Sequence, residues 1–135
     1  MEQRDYILRE IEKISVVILA ILGKFKKIKS KKQFEDERSM IDSELKDSTG
    51  LTIESLLSVP EEDLISYLAG RKDFDTGNME LLAGLLVAFE ANMDRDEGRT
   101  LLKKAIGILE YIDRETRTFS MERSMKINEL KAKLR

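Results

Sequence analysis

An all-α fold is predicted from the composition of the chain and from the spacing of its apolar residues. Charged residues make up 37% of the 135 residues, whereas Gly occurs seven times and Pro once. This composition favours helices and leaves few places for tight hairpin turns. Apolar residues recur at spacings of three and four, and no stretch alternates at period two for long enough to form a strand. We therefore predict a single domain over residues 1–135, with five to seven antiparallel helices packed around a long N-terminal helix.

The first helix is predicted from about Glu2 to Lys29, because one apolar seam continues across Gly23. The seam alternates spacings of four and three, as in helices that pack on other helices, and consists of Ile7, Ile11, Ile14, Ile18, Ile21, Phe25 and Ile28. A bend or an early end at Gly23 is the alternative, since Gly costs about 1 kcal/mol relative to Ala. Residues 16–22 are apolar on nearly all sides. We expect several helices or a second copy of the chain to cover them, so a homodimer through this helix is predicted.

The next helices are located by capping residues. Ser30–Gln33 has the Ser-x-x-Gln form of a capping box, and the helix that it starts is expected to end near Gly50. The residues of this helix expected to face inward are Phe34, Met40, Ile41 and Leu45. Thr52 opens a short helix. Ser58–Glu61 supplies another capping signal, with the Pro in the first turn of a helix that stops at Gly70.

From the second half of the sequence we predict a helical hairpin followed by a C-terminal helix. One helix covers residues 78–93, and the capping pattern Asp94–Glu97 starts the next. The small residues expected to let the two approach closely are Gly84, Ala88, Ala91, Ala105 and Gly107. Thr118–Ser120 ends the second helix. The last helix carries Met121, Met125, Ile127, Leu130 and Leu134. The predicted packing resembles that of tetratricopeptide hairpins, although no self-similarity at their period of about 34 residues is present.

Two short motifs carry a resemblance to a known family. The segments Gln3–Glu12 and Thr118–Arg123, taken together, are similar to those of a family of small, uncharacterised bacterial proteins. The resemblance implies an all-helical, tetratricopeptide-like fold and no assigned activity. It implies no site residue for this chain.

The composition excludes several classes of catalytic and metal site. The chain contains neither Cys nor His, which removes disulfides, Ser-His and Cys-His nucleophiles, an imidazole base and nearly every zinc site. The Asp-x-Asp-x-Gly segments at 73–77 and 94–98 depart from a calcium loop, because the Gly comes one position early and the final Glu is missing. We predict no catalytic residue, no metal and no cofactor, and an enzyme ranks third among the function classes.

The strongest charge asymmetry lies in the segment 24–32. Six of its residues are lysines, namely Lys24, Lys26, Lys27, Lys29, Lys31 and Lys32. Without them the chain has 18 basic and 26 acidic residues. Clustered ammonium groups bind phosphates of nucleic acids or anionic lipids. The alternative, typical of charge runs, is a solvated helix end where cations suit the C-terminal dipole.

A protein-binding surface is the remaining hypothesis. Met side chains on the later helices suit a groove between the helices predicted at 78–93 and 121–134, and filling gaps in the core is the alternative role for them. The rim candidates are Asn92, Arg95 and Arg99. We predict a non-catalytic interaction or adaptor module that binds another protein, with a nucleic-acid accessory role through segment 24–32 as the alternative. The uncharged run Ile14–Leu22 is about half of the ~20 residues that a membrane span needs, so we expect a cytoplasmic protein.

Overall fold

The computed structural model describes residues 2–135, which form seven α-helices and, within this range, no strand. In chain order they are α1 (Glu2–Phe25), α2 (Lys31–Thr49), α3 (Ile53–Ser58), α4 (Glu61–Ala69), α5 (Thr76–Glu90), α6 (Arg95–Thr116) and α7 (Met121–Leu134). All seven contribute buried apolar side chains to one cluster. The all-α class and the number of helices predicted from the sequence are confirmed.

The first helix crosses Gly23 as predicted but ends at Phe25, before the expected end at Lys29. The reason lies in the start of α2. Ser30 takes an extended conformation as the N-cap of α2, with φ of −150°, and the backbone N–H of Lys29 donates to the side chain of Gln33. Because Lys29 and Ser30 form the N-terminal cap of α2, their backbone cannot also adopt the helical conformation that would extend α1.

The capping residues predicted for α2 and α3 are confirmed. The backbone N–H of Gln33 donates to Ser30 Oγ at 3.2 Å, and Gly50 ends α2 in the left-handed region with φ of 78°. Thr52 starts α3 with a capping box. The prediction for Ser58–Glu61 is wrong in detail, because Ser58 belongs to the end of α3 and therefore does not cap the next helix. Pro60 precedes α4 in the N-cap position, with no side-chain hydrogen bond.

Three methionines lie on the surface, and one of them, Met40, was predicted to face inward. Met40 is 56% exposed because Phe34, Ile41 and Leu45 define the buried face of α2, and Met40 lies beside that face. Met121 and Met125 are 68% and 66% exposed, while α7 buries Ile127 and Leu130 further along. The inward orientation predicted for Met40 is therefore wrong.

Helices α5 and α6 pack as the predicted hairpin, and Gly98, which was not among the predicted small residues, makes a close contact between them. A Cβ atom added at Gly98 would lie 3.1 Å from Glu90 Cγ, whereas one at Gly84 would meet nothing within 4 Å. Gly107 faces α4 instead of α5, and an added Cβ would lie 2.6 Å from the carboxyl carbon of Glu61. Gly107 thus provides the space for Glu61, and this role was not predicted.

A buried carboxamide joins α1 to the start of α5. Asn78 is 1% exposed, and its Nδ2 donates to the carbonyl oxygens of Ile11 and Asp73, both at 2.9 Å. Its Oδ1 accepts from Ser15 Oγ at 2.6 Å. The backbone N–H of Asn78 donates to Asp75 Oδ1, the N-cap of α5. The side-chain amide, the side-chain oxygen and the backbone N–H of Asn78 therefore all have hydrogen-bond partners in the protein.

Replacing Asn78 should weaken the attachment of α1. We expect Asn78→Ala to lower the free energy of unfolding by about 2 to 3 kcal/mol, because Ser15 and the carbonyl of Ile11 lose a buried partner. Urea denaturation followed by circular dichroism measures this change. Asn92→Ala is the matched control, since Asn92 makes only a 3.4 Å bond to Ala88 O within its own helix turn. Equal losses in the two variants would contradict the role given to Asn78.

Candidate functional site

The outer face of α1, defined here by Glu12, Val16, Leu19, Ala20 and Gly23, is uncovered in the single chain. Residues spaced in this way share one side of a helix. Val16 and Leu19 are 58% and 54% exposed, whereas the seam on the opposite side is buried. The predicted all-round apolar character of this part of α1 therefore leaves exposed apolar side chains on the surface.

A groove of ≈ 920 Å³ runs beside this face, between α1 and α2. We call it the α1–α2 groove. Its apolar floor consists of Ile14, Val16, Val17 and Ala20. Its α1 side carries both signs of charge, since Lys13 pairs with Glu10 at 3.1 Å, whereas Asp47 gives the α2 side a negative charge. The volume lies within the usual range of ligand pockets, and seven polar side chains that would orient a partner surround the apolar floor.

The α2 side of this groove was not found from the sequence. Glu44, Asp47 and Ser48 face it, and they follow one another at spacings of three and one along α2. They lie beside the buried Leu45, so the apolar spacing of α2 places them on its flank. The missing information was which helix lies opposite, because that depends on the contact between α1 and α2.

The lysine segment splits into one paired and five exposed residues. Lys24 Nζ lies 2.6 Å from Glu44 Oε1 and is half-buried, so this lysine joins α1 to α2. The exposed residues are Lys26, Lys27, Lys29, Lys31 and Lys32. Acidic side chains of α2, Asp36 and Glu37, line a pocket of ≈ 390 Å³ together with Lys24 and Lys27. The segment is therefore a solvated turn with acidic neighbours on one side.

The rim candidates of the later helices lie around the α5–α6 turn. Asn92 is in that turn, and Arg95 and Arg99 line a small pocket of ≈ 200 Å³ with Lys133 and Arg135. Arg95 is exposed and Arg99 is half-buried. The three residues were predicted to lie on the rim of a groove between α5 and α7. The pocket of Arg95 and Arg99 is separate from that groove.

A groove of ≈ 390 Å³ does lie between α5 and α7, with Val87 and Met125 among its apolar residues. Its polar side is organised by Arg123. This guanidinium lies 2.6 Å from Asp113 Oδ1 and 3.2 Å from Glu80 Oε1, and the hydrogen bond that it donates to Asp113 raises the pKa of Arg123. Arg123 therefore ties α5, α6 and α7 together at the surface.

Lys104 is a buried cation whose ammonium group binds backbone carbonyls of α3. It is 5% exposed, and its Nζ donates to the carbonyl oxygens of Leu56 and Leu57, the latter at 3.1 Å. These carbonyls belong to the last turn of α3, whose oxygens have no partner within the helix. Burial lowers the pKa of Lys104, and the negative charge of Glu61 acts against that shift. The ammonium group thus caps α3 from α6.

Metal-binding clusters, unpaired buried polar side chains and membrane-spanning helices are absent from residues 2–135. In this range no three acidic side chains come together in a way that could hold a metal ion. Every fully buried side-chain nitrogen or oxygen among the described residues has a hydrogen-bond partner. None of the seven described helices is long and apolar enough to cross a membrane.

Comparison of the chain with protein-family models, with curated proteins and with solved structures gave no match. The resemblance to the family of small bacterial helical proteins, with its tetratricopeptide-like fold, therefore stays a prediction.

The role of Lys104 can be tested against its exposed neighbour. We expect Lys104→Ala to lower the free energy of unfolding by about 2 kcal/mol, since two buried carbonyls of α3 lose their donor. Lys103→Ala, at an exposed position of the same helix, should change it by less than about 0.5 kcal/mol. Urea denaturation compares the two.

A pH series gives a second measure of the same role. Because the pKa of Lys104 is lower in the folded state, the unfolded state binds more protons as the pH approaches 10.5. The stability of the wild type relative to Lys104→Ala should therefore rise over this interval. A constant difference from neutral pH to pH 10.5 would contradict the buried position of the ammonium group.

Proposed function

We propose that the protein is a non-catalytic interaction module that docks a helix of another protein chain on the outer face of α1 and in the adjoining α1–α2 groove. The observation that carries this proposal is the exposure of Val16 and Leu19 beside an apolar groove. Apolar surface that is contiguous and rimmed by charged residues is typical of protein-binding sites.

The chemistry of the surface defines the kind of helix that fits it. An apolar floor suits a helix with apolar residues at spacings of three and four, as in other helix-in-groove complexes. Asp47 gives the α2 side of the groove a negative charge, so the docked helix should carry a basic residue on the flank that faces α2. The proposed site needs no catalytic group. A cytoplasmic location remains a prediction from composition.

Capture experiments with matched variants test this proposal. The full-length chain, tagged and expressed in its native cell, is compared with Val16→Asp and with Met121→Asp. Both changes place a carboxylate at an exposed apolar residue, but only Val16 lies on the outer face of α1. We expect chains captured by the wild type, including further copies of itself, to fall at least about tenfold with Val16→Asp, because a carboxylate would be desolvated in the contact.

The control variant determines how the capture result is interpreted. Capture that depends on Val16 and survives Met121→Asp supports docking on α1. Capture that is unchanged by Val16→Asp, or that is lost equally in both variants, rules out the outer face of α1 as the docking surface.

The second candidate is an accessory role at nucleic acids through segment 24–32. It is favoured by the exposure of five of the six lysines, three of them in the connection between α1 and α2 and two in the first turn of α2. Phosphates would be bound there by the release of counterions, which makes affinity fall steeply with salt. The acidic residues Asp36 and Glu37 beside Lys27 reduce the positive potential on one side of the segment.

Binding measurements at low salt test the lysine segment. Fluorescence anisotropy with duplex DNA, single-stranded DNA and RNA should give weak, salt-dependent binding if the segment acts in this way. Changing Lys26, Lys27 and Lys29 to Gln should reduce the affinity about tenfold or more and should lower the salt slope. The control changes Lys103, Lys126 and Lys131 to Gln and removes the same charge elsewhere. Binding that is absent, or equally reduced by both triple variants, would exclude this role.

A further inference from the structure

The outer face of α1 has a residue pattern that a buried seam would have. Glu12, Val16, Leu19 and Gly23 follow one another at spacings of four, three and four, and Lys26 and Lys27 come three and four residues later. A spacing of this kind keeps one stripe of a helix against a partner helix. The inner seam of α1 serves the core of the same chain, while the outer stripe has no partner in the single chain.

We propose that the helix docked on this face is α1 of a second copy, in antiparallel orientation; this inference rests on the proposed function and names its partner. In the register that we infer, the two-fold axis passes between Leu19 and Ala20, so that Leu19 of one copy lies opposite Ala20 of the other. Val16 of one copy then lies opposite Gly23 of the other. Glu12 lies opposite Lys26 and Lys27.

Side-chain size supports this register. With antiparallel helices, each larger residue of the stripe meets a small one, since Val16 faces Gly23 and Leu19 faces Ala20. An added Cβ at Gly23 would meet nothing within 4 Å in the single chain, so the space beside Gly23 is free for a side chain of the second copy. Large residues packed against small ones let two helices interdigitate. A parallel pair would instead place Val16 against Val16 and leave a gap between the two Gly23 residues.

Charge supports the antiparallel orientation independently. The stripe has Glu12 on its N-terminal side and Lys26 and Lys27 on its C-terminal side, and all three side chains are exposed. The backbone N–H of Lys27 donates to the carbonyl of Lys24 at 3.0 Å, so a hydrogen-bonded turn follows the end of α1 and keeps both lysines beside it. Antiparallel pairing brings the opposite charges together at both ends, whereas parallel pairing brings like charges together.

The expected dimer is weak and depends on concentration. The stripe from Glu12 to Lys27 is about 25 Å long at about 1.5 Å per residue and is one helix wide. Standard interfaces bury roughly 800 Å² per partner, which is more than such a stripe offers by itself. We therefore expect a dissociation constant of about 10 µM or weaker, measured by sedimentation of the full chain over a range of concentrations.

Cysteine cross-linking tests the orientation directly. The chain has no Cys, so every introduced thiol is the only one present. Ala20→Cys lies at the proposed two-fold axis and should form a disulfide-linked dimer under mild oxidation. Leu8→Cys is also at an exposed position but lies far from its counterpart in an antiparallel pair, so it should remain monomeric. A mixture of Glu12→Cys and Lys27→Cys chains should give mixed dimers in excess of either self-linked dimer.

Charge reversal tests the register without a cross-link. Glu12→Lys should weaken dimerisation about tenfold, because it affects two symmetry-related contacts, and the combination of Lys26→Glu with Lys27→Glu should act in the same direction. The variant that contains all three changes should recover most of the wild-type affinity. Glu122→Lys, an exposed change at the start of α7, serves as the control and should leave dimerisation unchanged.

The outcomes separate this inference from the proposed function. A chain that stays monomeric at millimolar concentration, or cross-linking of Leu8→Cys as strong as that of Ala20→Cys, overturns the antiparallel dimer. If a different protein is then captured and its capture depends on Val16, docking on the outer face of α1 is supported. Only the assignment of a second copy as the partner is then wrong. Capture of no chain at all overturns both.

Discussion

The carboxamide of Asn78 determines the rotation of α1 about its own axis. The apolar seam of α1 already favours one buried side, although residues 16–22 are apolar on most sides. The bonds from Asn78 to Ile11 O and from Ser15 to Asn78 fix the rotation more narrowly. A buried polar group that loses its partner costs more than a modest loss of apolar contact. The exposure of Val16 and Leu19 follows from the orientation that the seam and this polar contact share.

Local signals in the sequence predicted most of the fold. The caps at Ser30, Thr52 and Asp94 and the left-handed Gly50 depend on residues within one turn of chain, and each was found where the sequence places it. The end of α1 was predicted too late, because the apolar seam continues through Ile28 and is still partly buried there. The apolar seam thus ends at Ile28, whereas the helix ends at Phe25. The end of the helix depends on backbone hydrogen bonds, which the spacing of apolar residues does not report.

The candidate site was less accessible from sequence, because it consists of contacts between distant segments. The lysine segment stood out by composition, but the ion pair of Lys24 with Glu44 depends on how α1 and α2 pack. The acidic side of the α1–α2 groove has no distinctive residue spacing of its own. Gly107 was recognised as small, whereas its partner Glu61 in α4 could only be identified from the folded chain. Long-range pairing of single residues has no signature in one sequence.

The contact between Lys104 and the end of α3 bears on the order in which the chain becomes ordered. α3 has six residues, fewer than the ~12 that an isolated helix needs for even marginal stability in water. Its terminal carbonyls depend on a donor that the chain supplies only in α6, well beyond the intervening α4 and α5. A ribosome that has exposed only the first half of the protein would therefore present α3 as an unstructured segment, and its amides should become protected from hydrogen exchange only after α6 has docked.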